Sequence, residues 1–255
     1  MSLEAFREVV RQDVEEFIQK GRMHRAIELS AATGQHFNHN EQPMFFVGDP
    51  TARLVLVHLN PKQKNNYAPT YQGVRPSSFE AYWDYHQHFG ARHYGPQSAR
   101  TYRSPFDHKQ IRFLRPFGVI DFGADVWQNL ERVIDGKLQL ELVPYGSATF
   151  DTGGFTAEAL RPHWERVLGL IAAYPRDYVL LCGAVFEPLV REHVVKEFEF
   201  PLAKKDGTST RQKARFSRLH FTYDGQTINA GLAHSFARQG IPMDDYGQRC
   251  AALYA

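Results

Sequence analysis

The sequence has only two cysteines, Cys182 and Cys250, among its 255 residues. Two thiols cannot build a disulfide framework, an all-cysteine zinc site or an iron–sulfur cluster, so we expect a reducing, cytoplasmic location. No apolar run is long enough to cross a bilayer, and the acidic first segment lacks the basic and apolar regions of a secretory leader. We therefore expect no membrane partner.

The chain also lacks a strong net charge, because 30 Lys and Arg oppose 28 Asp and Glu, for a formal charge of +2. Such a small excess does not by itself predict nucleic-acid binding; only the distribution of charge can do so. Hydrophobic residues make up 43% and charged residues 23%, which is ordinary for a globular protein. No internal repeat or low-complexity segment divides the chain, and we expect one domain over residues 1–255 and a monomer.

Alternating strand and helix patterns predict an α/β fold with a mostly parallel sheet covered on both faces. Residues 1–43 form a helical N-terminal extension in this prediction. Residues 62–107 form a long aromatic-rich insertion, which is unusual inside a compact domain unless it is functional. The predicted strands are Arg53–Val57, Leu138–Val143, Tyr178–Cys182, Phe198–Leu202, Ala214–Tyr223 and Thr227–Ala230. The predicted helices are Ser2–Lys20, His24–Ala32, Ser78–His88, Lys109–Phe117, Ala124–Ile134, Ala157–Tyr174, a stretch from Gly183 to about Lys196, and Asp244–Leu253.

Three predicted strands end in polar segments that can carry chemistry. The first is His58-Leu59-Asn60-Pro61, and the others are Val143-Pro144-Tyr145-Gly146-Ser147 and Ala233-His234-Ser235-Phe236. Ligands of open α/β sheets bind at the carboxyl ends of parallel strands, so we expect these segments to converge on one pocket. Asn-Pro is also a common way to start a turn, and a loop histidine can simply bond the backbone, so each motif alone is compatible with a structural role.

Together these segments resemble the motifs of the uracil-DNA glycosylase superfamily. His58-Leu59-Asn60-Pro61 is similar to that superfamily's first motif, Gly-x-(Asp or Asn)-Pro, in its Asn form and with His58 at the usual Gly position. Ala233-His234-Ser235 is similar to a shortened form of its last motif, which has Pro between the final two positions. The resemblance covers roughly residues 45–246 and implies a single-domain, three-layer α/β/α fold. It also implies hydrolysis of the N-glycosidic bond of a flipped, deaminated or damaged base in DNA, without a metal or other cofactor.

The resemblance assigns the catalytic roles to Asn60, which would orient the attacking water, and to His234, which would stabilise the departing base. An amide is a very poor base and carries no charge to offset the sugar cation, so we expect slow turnover. Phe236 or Arg238 is expected to fill the gap that the flipped base leaves in the duplex. The segment Glu141–Tyr145 has no clear equivalent of the family's base-reading Asn, which leaves the target base open. The residues expected to bind the base are His58, Pro61, Tyr67, Tyr71, Tyr145, Ser147 and Ser235, with Tyr67 or Tyr71 stacking on it.

A basic run between two predicted strands is the strongest local charge bias in the chain, and within the run only Asp206 opposes it. A hairpin of this kind can contact DNA phosphates, although a solvated hairpin has the same pattern. The residues expected to bind DNA here are Lys204, Lys205, Arg211, Lys213, Arg215 and Arg218.

Two other functions fit the sequence. One is a catalytically degenerate member of the same fold that binds nucleic acid or a nucleotide. The other is a small-molecule hydrolase in which Ser147 or Ser235 works with His234, although the chain has no Gly-x-Ser-x-Gly elbow. The histidine-rich segments at residues 36–39 and 86–93 lack the spacing typical of metal sites, and we interpret them as polar loop histidines.

Overall fold

The computed structural model describes residues 1–61, 75–96, 104–148, 155–204, 206–237 and 240–254, with the side chains of 210–212 excepted. The first helix begins where Ser2 Oγ accepts a hydrogen bond from the N–H of Ala5 (3.2 Å) and ends at Gly21, whose φ of 68° is left-handed. The helices are α1 (Leu3–Lys20), α2 (His24–Thr33), α3 (Phe79–Gln87), α4 (Phe89–Tyr94), α5 (Pro105–Leu114), α6 (Val126–Asp135), α7 (Ala157–Ala172), α8 (Glu187–Val190) and α9 (Met243–Ala252).

Seven strands within the described ranges form one mixed sheet in the order β1-β3-β2-β4-β7-β6-β5. The four central strands β3, β2, β4 and β7 run parallel, whereas β1, β6 and β5 are antiparallel to their neighbours. The strands are β1 (Phe46–Gly48), β2 (Leu54–His58), β3 (Leu138–Glu141), β4 (Tyr178–Cys182), β5 (Val194–Ala203), β6 (Ser209–Tyr223) and β7 (Gln226–Ala233).

The order of the parallel strands determines where a site can form. The chain passes from β2 to β3 on one side of β2, and then crosses to β4 on the other side. Such a reversal opens a crevice at the carboxyl ends of the two strands that flank it. The loops that follow β2, β3, β4 and β7 therefore lie along one edge of the sheet, which we call the carboxyl edge.

Helices pack on both faces of the sheet because successive strand residues point in opposite directions. Val55 and Val57 of β2 belong to a core shared with α1, α2, α3 and α7. Leu54 and Leu56 belong to a second core shared with α4, α5, α6 and α9. The prediction of an α/β fold is confirmed, and both faces of the central strands are covered.

The prediction of a mostly parallel sheet is not confirmed, because three of the six strand pairings in the described ranges are parallel and three are antiparallel. The short connections at 204–208 and 224–225 make β5, β6 and β7 consecutive hairpins, and hairpins are antiparallel by necessity. The helix predicted to reach Lys196 ends at Val190, since Val194 already pairs with Leu219 of β6. Residues 194–196 form a strand because they pair with β6, since their local pattern is compatible with either a helix or a strand.

The described part of the 62–107 insertion contains α3, α4 and the start of α5. The predictions for Tyr67, Tyr71, Lys205 and Arg238 lie outside the described residues. Among the helices that the structure describes, none has the length and apolar character to cross a membrane.

Candidate active site

Asn60 lies directly after β2 at the carboxyl edge and is half-buried. Its Nδ2 donates to the carbonyl oxygen of Tyr145 (3.2 Å) and to Ser147 Oγ (2.8 Å), both in the loop after β3. Both amide hydrogens are therefore engaged, and the orientation of the side chain is fixed by its surroundings. The remaining hydrogen-bonding capacity of Asn60 lies in the acceptor Oδ1.

Tyr145 and Ser147 support Asn60 instead of lining an open pocket, which differs from the base-binding role predicted for them. Tyr145 is 2% exposed and its hydroxyl donates to Asp13 Oδ2 (2.7 Å). Ser147 is 4% exposed, and its Oγ accepts from Asn60. Pro61 is buried, and its carbonyl oxygen accepts from the N–H of Ser147 (3.1 Å), which closes the same structure from the other side.

His234 lies at the end of β7 and faces the antiparallel part of the sheet. Its ring Nε2 accepts from the backbone N–H of Arg215 in β6 (3.1 Å), and the backbone N–H of His234 donates to Tyr246 Oη (3.0 Å). A nitrogen that accepts carries no hydrogen, so in the neutral ring the hydrogen is on Nδ1. The ring therefore leans toward β6, whereas the amide of Asn60 leans toward β3.

The loops that carry Asn60 and His234 nevertheless meet. The ring of His58 contacts that of Phe236, with centroids 5.6 Å apart, and Phe106 of α5 packs on both at 5.1 and 5.9 Å. The loop after β4 is bonded to the end of β7, since the N–H of Gly183 donates to the carbonyl oxygen of Ala233 (2.9 Å). Because β2 and β7 are separated only by β4, their ends are roughly 10 Å apart.

Phe236 is not placed as a wedge in this structure. Its side chain is fully buried between His58, Phe106 and Phe113, and Lys109 Nζ of α5 donates to its carbonyl oxygen (2.9 Å). Burial of this large aromatic ring stabilises the fold, so Phe236 lies in the core and not on the surface, where the resemblance implied it. Phe236 is therefore a core residue that joins the two loops.

The Ser–His hydrolase has no support in this geometry. Ser147 Oγ accepts from Asn60, and Ser235 Oγ accepts from the N–H of Ala237 (3.2 Å). The lone pair of His234 Nε2 is occupied by the N–H of Arg215. A histidine in this state cannot accept the proton of a serine hydroxyl, so it does not act as the base of a nucleophilic pair.

The predicted basic hairpin is a ribbon of β5 and β6 that extends past the carboxyl end of β7. Only residues 217–223 of β6 pair with β7, while Ser209 and residues 213–216 pair with β5 alone. Lys204, Lys213 and Arg215 are exposed on this ribbon. Arg211 lies in β6, and its side chain is outside the described residues. The ribbon therefore stands beside His234 at the carboxyl edge.

The charge of the ribbon is more balanced than the sequence run indicates. Lys213 forms an ion pair with Glu199 (3.2 Å) and Arg215 with Glu187 (3.7 Å). Arg218 is not a surface cation, because its guanidinium stacks over Tyr254 at 4.3 Å and bonds the carbonyl oxygen of Leu253. A charge run taken from one strand omits the carboxylates that other elements supply, here Glu199 of β5 and Glu187 of α8. The prediction for Arg218 is corrected because its side chain packs on the C-terminal residues Leu253 and Tyr254.

A buried polar network lies under α5, next to His58, and sequence reasoning missed it. Lys137 Nζ donates to Gln139 Oε1 (3.0 Å), and Gln139 Nε2 donates to Glu141 Oε1 (2.9 Å) along β3. Gln110 Nε2 of α5 donates to Asp107 Oδ1 (3.3 Å) and lies 3.4 Å from Gln139 Oε1. Lys137 is fully buried, and Glu141 is 3% exposed.

Three atoms of this region have no hydrogen-bond partner within the described part of the chain. They are His58 Nε2, Gln110 Oε1 and Glu141 Oε2, and they come from β2, α5 and β3. His58 and Glu141 are register partners on adjacent strands. Unsatisfied buried polar atoms are rare and costly, and they concentrate where a protein binds or transfers something.

Burial sets the protonation of these groups. Burial raises the pKa of Glu141 to about 8, and it lowers the pKa of His58 to about 3, with the Lys137 cation adding to the effect on His58. At neutral pH Glu141 is mainly a neutral acid that can donate from one oxygen, and His58 is a neutral ring.

One signal for this network was visible in the sequence. Polar residues alternate with leucines at Lys137, Gln139 and Glu141, and this pattern predicts a strand with one face exposed to solvent. The sheet as a whole was expected to be covered on both faces, which would bury that face of the strand. The conflict between these two expectations points to a buried polar site.

Replacing Glu141 by Gln is expected to flatten the pH dependence of stability below pH 8. The folded state holds a proton on Glu141 up to about pH 8, whereas the unfolded chain loses it near 4.5, so the wild type loses stability as pH rises through this window. The slope is at most about 1.4 kcal/mol per pH unit, and the amide of E141Q does not titrate. Urea titrations at several pH values measure it, with the exposed Glu199→Gln as control. Parallel curves for E141Q and the wild type contradict the assignment.

His86 and His88 each bond a carbonyl oxygen within α3, at Tyr82 (2.9 Å) and Asp84 (3.1 Å). No group of three His, Cys, Asp or Glu side chains in the described ranges is arranged to hold a metal ion.

Comparisons with known proteins give the chain no family. A scan against protein-family models found no match, and a search of curated proteins returned no similar sequence.

Proposed function

We propose that this protein hydrolyses the N-glycosidic bond of a flipped, deaminated or damaged base in DNA. The observation that carries the proposal is Asn60, locked by two hydrogen bonds at the carboxyl edge, on a loop that contacts the His234 loop through His58 and Phe236. The parallel core β3-β2-β4-β7 with helices on both faces supports a three-layer α/β/α, uracil-DNA glycosylase-like domain, to which β1, β5 and β6 are added.

The chemistry assigned to Asn60 is the orientation of water. The bond between the anomeric carbon and the base nitrogen breaks with its electron pair leaving on the base, and water adds to the anomeric carbon of the oxocarbenium-like sugar. The proton that this water loses passes to the base anion or to solvent. The Oδ1 of Asn60 accepts one hydrogen of that water and aims its lone pair at the sugar. An amide neither removes the proton nor offsets the positive charge, so the reaction is slow compared with one assisted by a carboxylate.

The departing base carries negative charge, which an N–H donor stabilises in a dry site. In the tautomer required by the N–H of Arg215, this donor is the Nδ1–H of His234. Lys213 and Arg215 on the adjoining ribbon supply phosphate contacts, reduced by their ion pairs with Glu199 and Glu187. Binding to DNA is therefore moderate and weakens with salt.

The test uses fluorescent single- and double-stranded oligonucleotides with one uracil or one hypoxanthine, incubated with the protein and then treated with alkali. The proposal expects strand breaks at the modified position of at least one substrate and none with the unmodified oligonucleotide. The absence of breaks in every substrate overturns it.

A second candidate, a binding protein without catalysis, is favoured by one observation. His234 Nε2 is occupied by a backbone N–H, and the ring leans away from Asn60. Salt-sensitive binding of the same oligonucleotides without base release supports this candidate.

A further inference from the structure

Tyr145 links Asn60 to helix α1, because its backbone contacts Asn60 and its side-chain hydroxyl contacts α1. Its carbonyl oxygen accepts from Asn60 Nδ2 (3.2 Å), while its hydroxyl donates to Asp13 Oδ2 (2.7 Å). Asp13 Oδ1 in turn accepts from Arg25 Nη1 of α2 (3.0 Å). A continuous set of hydrogen bonds therefore runs from the N-terminal helices to the amide of Asn60.

Asp13 occupies a position where an apolar side chain is the ordinary choice. It lies on the buried face of α1 with Val10, Val14 and Phe17, and it is only 2% exposed. Burying a carboxylate among such neighbours is costly unless it is paired and hydrogen-bonded. Desolvation raises the pKa of Asp13, and the Tyr145 hydroxyl and Arg25 oppose that rise. The carboxylate therefore has a use that a hydrophobic residue cannot serve.

The loop is also fixed from a second direction. Arg166 of α7 is buried and donates to the carbonyl oxygens of Glu141 (3.0 Å) and Leu142 (2.7 Å). Backbone hydrogen bonds hold the residues on either side of Tyr145, since the N–H groups of Met44 and Asn38 donate to the carbonyl oxygens of Pro144 and Gly146 (both 2.8 Å). The bond to Asp13 holds the Tyr145 side chain. Loss of the Asp13 bond would release the buried ring, and repacking of the ring would displace the Tyr145 backbone that carries the acceptor of the Asn60 amide.

We propose that Asp13 is a positioning residue for Asn60, acting through Tyr145. The effect of Asp13 on catalysis rests on the proposed function, whereas its effect on the orientation of the Asn60 side chain does not. Asp13 touches neither substrate nor water in this account. It ties the Tyr145 ring to α1, and through the Tyr145 backbone it holds the carbonyl oxygen that sets the direction in which Asn60 Oδ1 faces the reacting carbon.

Two variants and a matched control test the proposal. Asp13→Asn keeps the shape but weakens the charge-assisted bond to Tyr145, and Tyr145→Phe removes the bond. Asp135→Asn is the control, because Asp135 also anchors a helix, accepting from the N–H groups of Gly90 (2.6 Å) and Ala91 (2.8 Å) of α4, which packs in the core on the opposite face of the sheet from α1. All three variants are expected to lose stability, so a stability change alone does not decide.

The first measurement is independent of activity. The side-chain amide of Asn60 is observed by nitrogen-resolved NMR and assigned by its disappearance in Asn60→Ala. D13N and Y145F are expected to shift or broaden this signal, and D135N is expected to leave it unchanged. An unmoved signal in D13N and Y145F overturns the proposal, even if the wild type releases no base and the proposed function fails.

The second measurement applies if the wild type releases base. D13N and Y145F are then expected to lower kcat about tenfold with little change in KM, whereas D135N keeps the wild-type kcat. Equal kcat in D13N, Y145F and the wild type, or the same fall in D135N, contradicts a positioning role.

Discussion

Asn60→Ala is expected to lower the rate of base release by about a hundredfold or more, because it removes the group that orients water at the anomeric carbon. Substrate binding depends on other contacts, so KM should change little. The two acceptors that lose their donor, Tyr145 O and Ser147 Oγ, cost about 1 kcal/mol of stability. Single-turnover kinetics with excess protein measure the rate.

Ser147→Ala is the control for this variant. It removes one of the two bonds that hold the Asn60 amide but leaves Oδ1 in place, so its rate should fall less than tenfold. A N60A rate within a factor of two of the wild type would falsify the role given to Asn60.

Lys137→Met is expected to destabilise the fold by about 3 kcal/mol, the second large effect of this account. The methionine chain fills nearly the same volume, so the loss comes from charge and not from a cavity. Lys137 is fully buried, which lowers its pKa to about 8, and the carboxyl groups of Asp107, Glu141 and Asp135 oppose that shift. Removing the ammonium group breaks its hydrogen bond to Gln139 Oε1 and takes away the cation that stabilises the charged forms of these carboxyl groups. The unfolding free energy from urea titration is the measurement.

Lys213→Met is the matched control, because Lys213 is exposed and its pair with Glu199 is a surface ion pair. Its effect should stay below about 1 kcal/mol. The double variant K137M/E141Q should recover part of the stability that K137M loses, since the two groups interact. A K137M protein as stable as the wild type contradicts the charged network.

Much of the fold was predictable because its strands and helices are strongly patterned. The run of β2, the capped α1 and the amphipathic α7 were predicted nearly within their observed bounds. The second half of β5 was predicted as the strand Phe198–Leu202, but its start was not, because Val194–Lys196 has no pattern that separates a helix end from a strand. Its pairing with β6 is a contact distant in sequence, which local reasoning does not see.

The sequence allowed the loops that form the candidate site to be predicted, but not what each side chain in them does. The sequence directs attention to Asn60 and His234, but the direction of each side chain depends on partners elsewhere, Tyr145 and Arg215. Phe236 was expected outside and is buried, because the rings of His58 and Phe106 that cover it come from separate elements. Function-bearing polar groups are where local expectations most often fail.

The most direct test of the central claim is the identification of both products after incubation of a modified duplex in heavy-oxygen water. Mass spectrometry should detect the free base, and the abasic sugar should carry the heavy oxygen on its anomeric carbon, with N60A giving neither above background. An intact oligonucleotide, or strand scission without any free base, contradicts the account.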